Sequence, residues 1–150
     1  IQEMDVVILS GGISKGKFDF LPQVLVELGT DLLIHRVRQR PGKPFLFGKQ
    51  PAHNTLIFGY PGNPVSTFVS PHIYFNAWFQ RSLGLAKKDV KVQLDTEVKG
   101  IEGMTQLIPV STEIKKNKLM ATPVPQNVSG DFISLVNADG IVIIEEHNVN

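Results

Sequence analysis

Cysteine is absent from this chain. Disulfides and thiolate metal centres are thereby excluded, and a reducing compartment is the simpler assumption. Histidine is scarce. His35, His53, His72 and His147 are scattered and form no HxxxH-type cluster, which argues against a zinc site. No apolar run approaches the ~20 residues of a membrane span, and the start of the chain carries no basic-plus-apolar leader. A cytoplasmic protein without membrane contact is expected. Charge of one dominant sign is missing too: 15 Lys and Arg against 14 Asp and Glu leave a net charge of +1. No global field marks a nucleic-acid binder. Internal repeats and low-complexity segments are likewise absent.

What is present fits a soluble globular protein with a core, at 42% apolar and 19% charged residues. The 150 residues suffice for one ordinary domain or two small ones. The chain starts at Ile1 and runs almost directly into an apolar strand, so further sequence is expected upstream. Charge is uneven along the chain. Residues 15–49 hold seven Lys and Arg (Lys15, Lys17, Arg36, Arg38, Arg40, Lys43, Lys49) against three acids (Asp19, Glu27, Asp31). Such a stretch can face an anionic ligand.

Residues 6–9 form a short continuous apolar run, β-branched at three of four positions. Runs of this kind suit a strand covered on both faces, as in a parallel sheet. The Gly-rich stretch 10–16 follows. A helix is predicted over 20–28, from Leu21, Val24, Leu25 and Leu28 at helical spacing, with Gly29 as its stop. Residues 32–39 read as another strand, giving a βαβ pattern. Pro41-Gly42-Lys43-Pro44 is a hard break, residues 55–58 are a further strand, and Pro61-Gly62-Asn63-Pro64 breaks the chain again. A long amphipathic helix is predicted next, with Val65, Phe68, Val69, His72, Phe79 and Leu83 near one face and a kink at Pro71. After Gly84 the pattern turns to strands: alternation over 87–98, then pieces at 106–110, 118–123 and 140–145. An α/β unit joined to a small all-β unit is expected, with the boundary near residues 84–89.

Several segments can carry chemistry. Glycines between a strand and a helix let backbone amides approach an anion, and the hydroxyls of Ser10 and Ser14 can add donors. The same glycines also suit a plain tight turn. Asp19 precedes a helix with Pro22 in its first turn, so it reads either as an N-cap or as a functional carboxylate. A carboxylate beside a phosphate loop would repel the phosphate unless a divalent cation lay between them, as magnesium does. On a strand, Arg36, Arg38 and Arg40 would share one face, either solvated or turned to an anion. That row leads into the stiff turn holding Lys43, a site suited to a tetrahedral oxyanion. Pro61, Gly62, Asn63, Pro64 and Ser66 form a second rigid turn at a helix start. It is readable as a cap alone or as an anion-binding helix N-terminus.

The order of these pieces resembles the molybdopterin molybdenumtransferase family, the group that includes the E domain of gephyrin. The resemblance rests on Gly11-Gly12-Ile13-Ser14-Lys15-Gly16-Lys17-Phe18-Asp19, Arg40-Pro41-Gly42-Lys43-Pro44 and Gly59-Tyr60-Pro61-Gly62-Asn63-Pro64-Val65-Ser66. It continues through Pro125-Gln126-Asn127-Val128-Ser129-Gly130 and Leu135-Val136-Asn137-Ala138. It implies an α/β fold: a partial three-layer α/β molybdopterin-binding domain over residues 1–86, then a small all-β, barrel-like domain over 87–150. It implies molybdenum insertion into adenylylated molybdopterin, with molybdate as co-substrate, magnesium as cofactor and AMP as product. The full-length protein would be a homodimer acting on small molecules.

Carried over residue by residue, Ser10, Gly11, Gly12, Ser14 and Gly16 would hold the substrate phosphate. Asp19 would serve the magnesium and substrate site. Lys43 would stand near molybdate, with Arg36, Arg40, Pro41, Gly42 and Pro44 around it. Pro61, Gly62, Asn63, Pro64 and Ser66 would form the second wall, and Ser129 would reach in from the C-terminal domain. The chain departs from the family pattern at Gly103-Met104-Thr105-Gln106, where many members carry a Gly-Arg segment. The alternative function is a non-catalytic scaffold of the same fold that binds a partner segment. The cationic row and the two rigid Pro-Gly turns favour the enzyme.

Overall fold

A computed structural model of the chain describes residues 3–14, 16, 19–86, 89–125 and 133–145. Two sheets are joined by a helix. The first has four strands in the order β1 (Val6–Ser10), β5 (Thr55–Tyr60), β4 (Leu46–Gln50), β2 (Asp31–His35). β1 and β5 are parallel, while β4 runs antiparallel to both β5 and β2. β1 and β2 therefore point the same way, with helix α1 (Leu21–Glu27) between them in the chain. The βαβ direction read from the sequence holds, although two strands separate its arms.

β5 is the centre of this sheet, and its alternation divides the core. Ile57 faces Ile13, Leu25 and Leu46 on the α1 side. Phe58 and Tyr60 face Phe45 on the other side, covered by Tyr74, Phe75 and Trp78. Aromatic rings dominate that second cluster: Phe45 stacks on Tyr74 at 4.0 Å, and Phe58 meets Phe75 edge-on at 5.6 Å. Such pairs add to plain area burial. β1 is an edge strand, and Ile8 is half exposed. The expectation that this run is covered on both faces is met on the face of Val7 and Leu9, which pack on the α1-side core, and on the other face at Val6 but not at Ile8.

The predicted long helix is two. α2 spans Pro64–Ile73 and α3 spans Phe75–Ser82. The interruption falls at Tyr74, not at Pro71, which stays inside α2. Pro71 removes one amide from the ladder there. Three residues later, Tyr74 turns its ring into the aromatic cluster rather than continuing the helix line.

The second sheet consists of β3 (Gln39–Arg40), β7 (Thr105–Lys115), β8 (Lys118–Pro123), β6 (Gln93–Leu94) and β9 (Gly140–Ile144). β7 is the long strand that organises it, with β8 antiparallel over its later half and β9 antiparallel over its earlier half. The strands expected at 106–110, 118–123 and 140–145 are present. The alternation expected as a strand over 87–98 yields only the two residues of β6, among the residues described there. A larger correction concerns residues 32–39. The backbone leaves β2 at His35, Arg36 adopts φ +79°, and the chain resumes as β3 in the other sheet, parallel to β7. Arg36, Arg38 and Arg40 therefore do not lie along one strand face.

Helix α2 packs on the second sheet. Val65 and Val69 of α2 pack with Leu107 of β7 and Leu135, flanked by Ile73 and Ile141. Leu107→Ala opens a cavity at this joint. It is expected to destabilise the fold by about 2–5 kcal/mol, read as a shift of the urea midpoint. Two separated transitions in the wild-type protein would show that the joint is not part of a single cooperative unit.

Candidate functional site

The glycine loop that follows β1 is anchored at Ile13. Ile13 is fully buried in the α1-side core, and Gly59 leaves the room it occupies. A Cβ on Gly59 would stand 3.3 Å from Ile13 Cγ2 and 3.1 Å from Leu46 Cβ. His35 Nε2 donates to the Ile13 carbonyl at 3.3 Å. Gly11 and Gly12 take φ +87° and +70°, values that an L side chain rarely adopts. The Gly11 amide donates to the Tyr60 carbonyl at 2.9 Å, which ties the loop to the end of β5.

Asp19 closes the far end of this loop. Its Oδ2 accepts the Gly16 amide at 2.5 Å, and its own amide donates to the Gly16 carbonyl at 3.1 Å. The cap position of α1 belongs instead to Phe20, with no side-chain cap bond. Asp19 is thus not the N-cap that its sequence position suggested. It is a half-buried carboxylate folded back on the glycine loop. α1 is only seven residues long, so loop amides rather than a long helix dipole set the local field.

The second rigid turn lies against the first. A Cβ on Gly62 would stand 3.5 Å from Gly11 Cα. Ser10 Oγ is 3.5 Å from Thr67 Oγ1, at the outer limit of a hydrogen bond. Between them opens a solvent-facing cavity of about 370 Å³ lined by Ser10, Gly62, Pro64, Thr67 and Phe68. Asn63 is the cap of α2: its Oδ1 accepts the Ser66 amide at 3.1 Å and the Ser66 hydroxyl at 3.3 Å. Ser66 is buried at 5% exposure. Pro64 is the first helical residue, as the fixed φ of proline favours. Asn63 and Ser66 therefore build the turn, while Gly62, Pro64 and Thr67 present surface to the cavity.

The turn 40–44 rests on the same helix further along. The Arg40–Pro41 peptide is cis, and Gly42 takes φ +88°. Gly42 is packed against Ser70, roughly 10 Å along the α2 axis from Asn63 at 1.5 Å per residue. The Lys43 carbonyl accepts the amides of Val37 at 3.1 Å and Phe45 at 3.0 Å, and the side chain is exposed. Arg36 is half buried, and Arg38 and Arg40 are exposed. Arg40 lies beside Gln106 in the β3–β7 register. Burial holds the Tyr60 and Tyr74 hydroxyls above the usual tyrosine range, so both stay protonated. Among the described residues, no group of three or more His, Asp or Glu is placed to hold a metal.

Comparison with known proteins bears on this arrangement. The family described as probable molybdopterin binding domain matches residues 1–77, and the MoeA C-terminal region (domain IV) matches residues 91–150. The chain belongs to the molybdopterin molybdenumtransferase family. A molybdopterin molybdenumtransferase of Synechocystis is 39% identical over 99% of this chain and 36% of its own length. The molybdenum cofactor synthesis protein cinnamon of Drosophila melanogaster is 32% identical over 93% of this chain and 24% of its own. A crystal structure of a molybdopterin biosynthesis MoeA protein from Pyrococcus horikoshii superposes with a TM-score of 0.72 at 30% identity. It covers 95% of this chain and 33% of that one. The chain spans between about a quarter and about a third of the length of these relatives.

The glycine loop and the Pro-Gly-Asn-Pro turn are brought into contact. The Lys43 turn joins them through α2. The three arginines do not form the single row expected. Ser129 lies outside the described residues. Sequence reasoning passed over Thr67, whose hydroxyl bonds the Pro61 and Asn63 carbonyls and faces Ser10. A threonine one turn after an Asn-Pro start was the available signal. It also passed over Gln39 and Tyr74.

Asn63→Ala removes the cap of α2 and is expected to cost about 1 kcal/mol. Gly42→Ala places a methyl 2.5 Å from Ser70 Oγ in a left-handed backbone and is expected to cost more than about 1 kcal/mol. Urea titration measures both. A Gly42→Ala protein as stable as wild type would contradict the packing described here.

Proposed function

We propose that the chain is the C-terminal part of an enzyme that inserts molybdenum from molybdate into adenylylated molybdopterin, releasing AMP. The observation that carries this reading is the contact of the Gly11 loop with the Gly62 turn beside the start of α2. Two anionic reactants must be held close despite their mutual repulsion. Amides, a helix N-terminus and cations are the groups that do this. The Gly11 and Gly16 amides are committed to Tyr60 and Asp19. In this reading the phosphate is bound by the remaining loop amides of Gly12, Ile13 and Ser14, with the hydroxyls of Ser10 and Ser14. Thr67, Pro64 and Gly62 form the facing wall.

Lys43 is assigned to molybdate. Its turn lies roughly 10 Å along α2 from the phosphate wall, a separation suited to a long substrate carrying its phosphate and its metal-accepting sulfurs at different ends. Arg40, beside Gln106, adds positive charge where the second sheet meets this turn. Gln106 ends the segment in which many relatives carry an arginine.

The donor set fits magnesium only as a cation shared with the substrate. Asp19 offers one carboxylate, and one of its oxygens already accepts the Gly16 amide. Magnesium commonly takes one or two carboxylates and fills its octahedron with phosphate oxygens and water. When bound, it would neutralise phosphate charge during cleavage of the adenylyl bond. Asp19 would hold it, and the Gly16 amide would orient Asp19. The enzyme would act as a cytoplasmic homodimer. Among the described residues, no helix is long and apolar enough to cross a membrane.

The test uses the full-length enzyme. Asp19→Asn keeps an oxygen acceptor for the Gly16 amide but removes the charge. Lys43→Ala removes an exposed cation. Both are expected to abolish molybdenum insertion, with unfolding free energies within about 0.5 kcal/mol of wild type, as for surface changes. Normal insertion by the Lys43→Ala enzyme overturns its assignment to molybdate.

A further inference from the structure

The Lys43 turn is held by a side chain 31 residues further along the chain. Tyr74, at the junction of α2 and α3, touches the turn on both flanks. On the early side, its hydroxyl donates to Gln39 Oε1. Gln39 is 3% exposed, and its Nε2 donates to the Pro41 carbonyl at 3.0 Å and to Ser70 Oγ at 3.4 Å. On the late side, the Tyr74 ring stacks on Phe45 at 4.0 Å with planes 13° apart. Phe45 in turn donates its amide to the Lys43 carbonyl. Gly42, between the flanks, is packed within 2.7 Å of Gln39 Nε2, measured from the position a Cβ would take. The Gln39 amide group has its acceptor filled by Tyr74 and its donors directed to Pro41 and Ser70, so its orientation is fixed.

We propose that Tyr74 is a positioning residue: through Gln39 and Phe45 it sets the place of the Lys43 ammonium relative to the start of α2. This rests on the assignment of Lys43 to molybdate made above. The physical reason lies in how a flexible lysine finds a small oxyanion. The ammonium is a point charge on a mobile four-carbon stem, so its reach is defined only by where its backbone is held. That backbone lies in the turn between the end of β3 at Arg40 and the start of β4 at Leu46, with Gly42 and Pro44 on either side of Lys43. The turn would otherwise drift with respect to the phosphate wall. Ser70 lies in, and Tyr74 caps the end of, the helix whose N-terminus is capped by Asn63. One rigid element therefore gauges the distance between the two anion positions.

The test compares four forms of the full-length enzyme: wild type, Tyr74→Phe, Lys43→Ala and the double variant. Molybdate KM and kcat are measured for wild type and Tyr74→Phe, and molybdate binding by calorimetry for all four. Tyr74→Phe keeps the ring and its stack on Phe45 and deletes only the bond to Gln39. It is expected to raise molybdate KM about tenfold, the factor that corresponds to losing one buried hydrogen bond, and to change kcat far less. In the Lys43→Ala background, the same substitution is expected to weaken molybdate binding no further. A purely structural role would lower the unfolding midpoint and leave the molybdate dependence of the folded enzyme unchanged.

Gln39→Met, which keeps the shape without the bonds, is the second variant and should reproduce the KM effect. Wild-type molybdate dependence in folded Tyr74→Phe and Gln39→Met proteins overturns the proposal, as does a loss that adds fully to that of Lys43→Ala. If Lys43→Ala itself binds and uses molybdate normally, the assignment of Lys43 fails first, and the positioning role fails with it.

Discussion

Burial of α2 between two sheets is the constraint on which the rest of this structure depends. One side of the helix gives Val65 and Val69 to a core shared with β7 and β9. Its end turns Tyr74 into the aromatic cluster over β5. Its start is fixed by Asn63 and by Thr67. A helix held on so many sides cannot slide or rotate without opening a cavity, and close-packed interiors resist that. Each loop of the candidate site is tied to this helix or to the strand that leads into it. The glycine loop meets Gly62, and the Lys43 turn meets Ser70. The helix fixes positions that the loops, left alone, would not keep.

The electrostatics follow from that frame. Arg38, Arg40 and Lys43 are exposed, and exposed charges are screened within about 8 Å at physiological salt. A cation far from its anion would contribute little. Usefulness therefore depends on placement more than on number, and a net charge of +1 is compatible with the proposed anion site. Asp19 obeys the same logic in reverse. A lone carboxylate beside a phosphate position is tolerable when its orientation is fixed and a counter-ion is shared. The Gly16 amide supplies the first of these conditions.

Much of the fold was legible in the sequence because its signals were local. The apolar run of β1, the helical spacing and glycine stop of α1, and the strands β5, β7, β8 and β9 all stood out. β4 was missed. Its residues Leu46, Phe47, Gly48, Lys49 and Gln50 show no clean alternation, yet Leu46, Gly48 and Gln50 are all buried. Gly48 is required by close approach of the Asp31 backbone, and Gln50 is held by the Leu28 carbonyl. Neither tertiary reason is written locally. The arginine row failed for a related cause: Arg36 takes a left-handed conformation that a non-glycine residue rarely adopts. The motifs of the site were readable as motifs. The contact between the glycine loop and the Pro-Gly-Asn-Pro turn follows from β1 and β5 being parallel neighbours, which spacing alone does not state. The N-cap reading of Asp19 failed because its carboxylate turns back to the Gly16 amide and Phe20 takes the cap position.

β3 has a consequence for how this chain can be divided. By position it sits among residues matched to the molybdopterin-binding family, but by hydrogen bonding it belongs with β7, in the segment matched to the C-terminal region. A cut placed between the two matched segments would strand Gln39 and Arg40 without their partner and bare the apolar side of α2. Modules that are separable on paper are thus interlaced in space. Recombination that swapped one segment for a distant counterpart would have to match a strand edge and a helix face at once, so the two halves are bound to drift together.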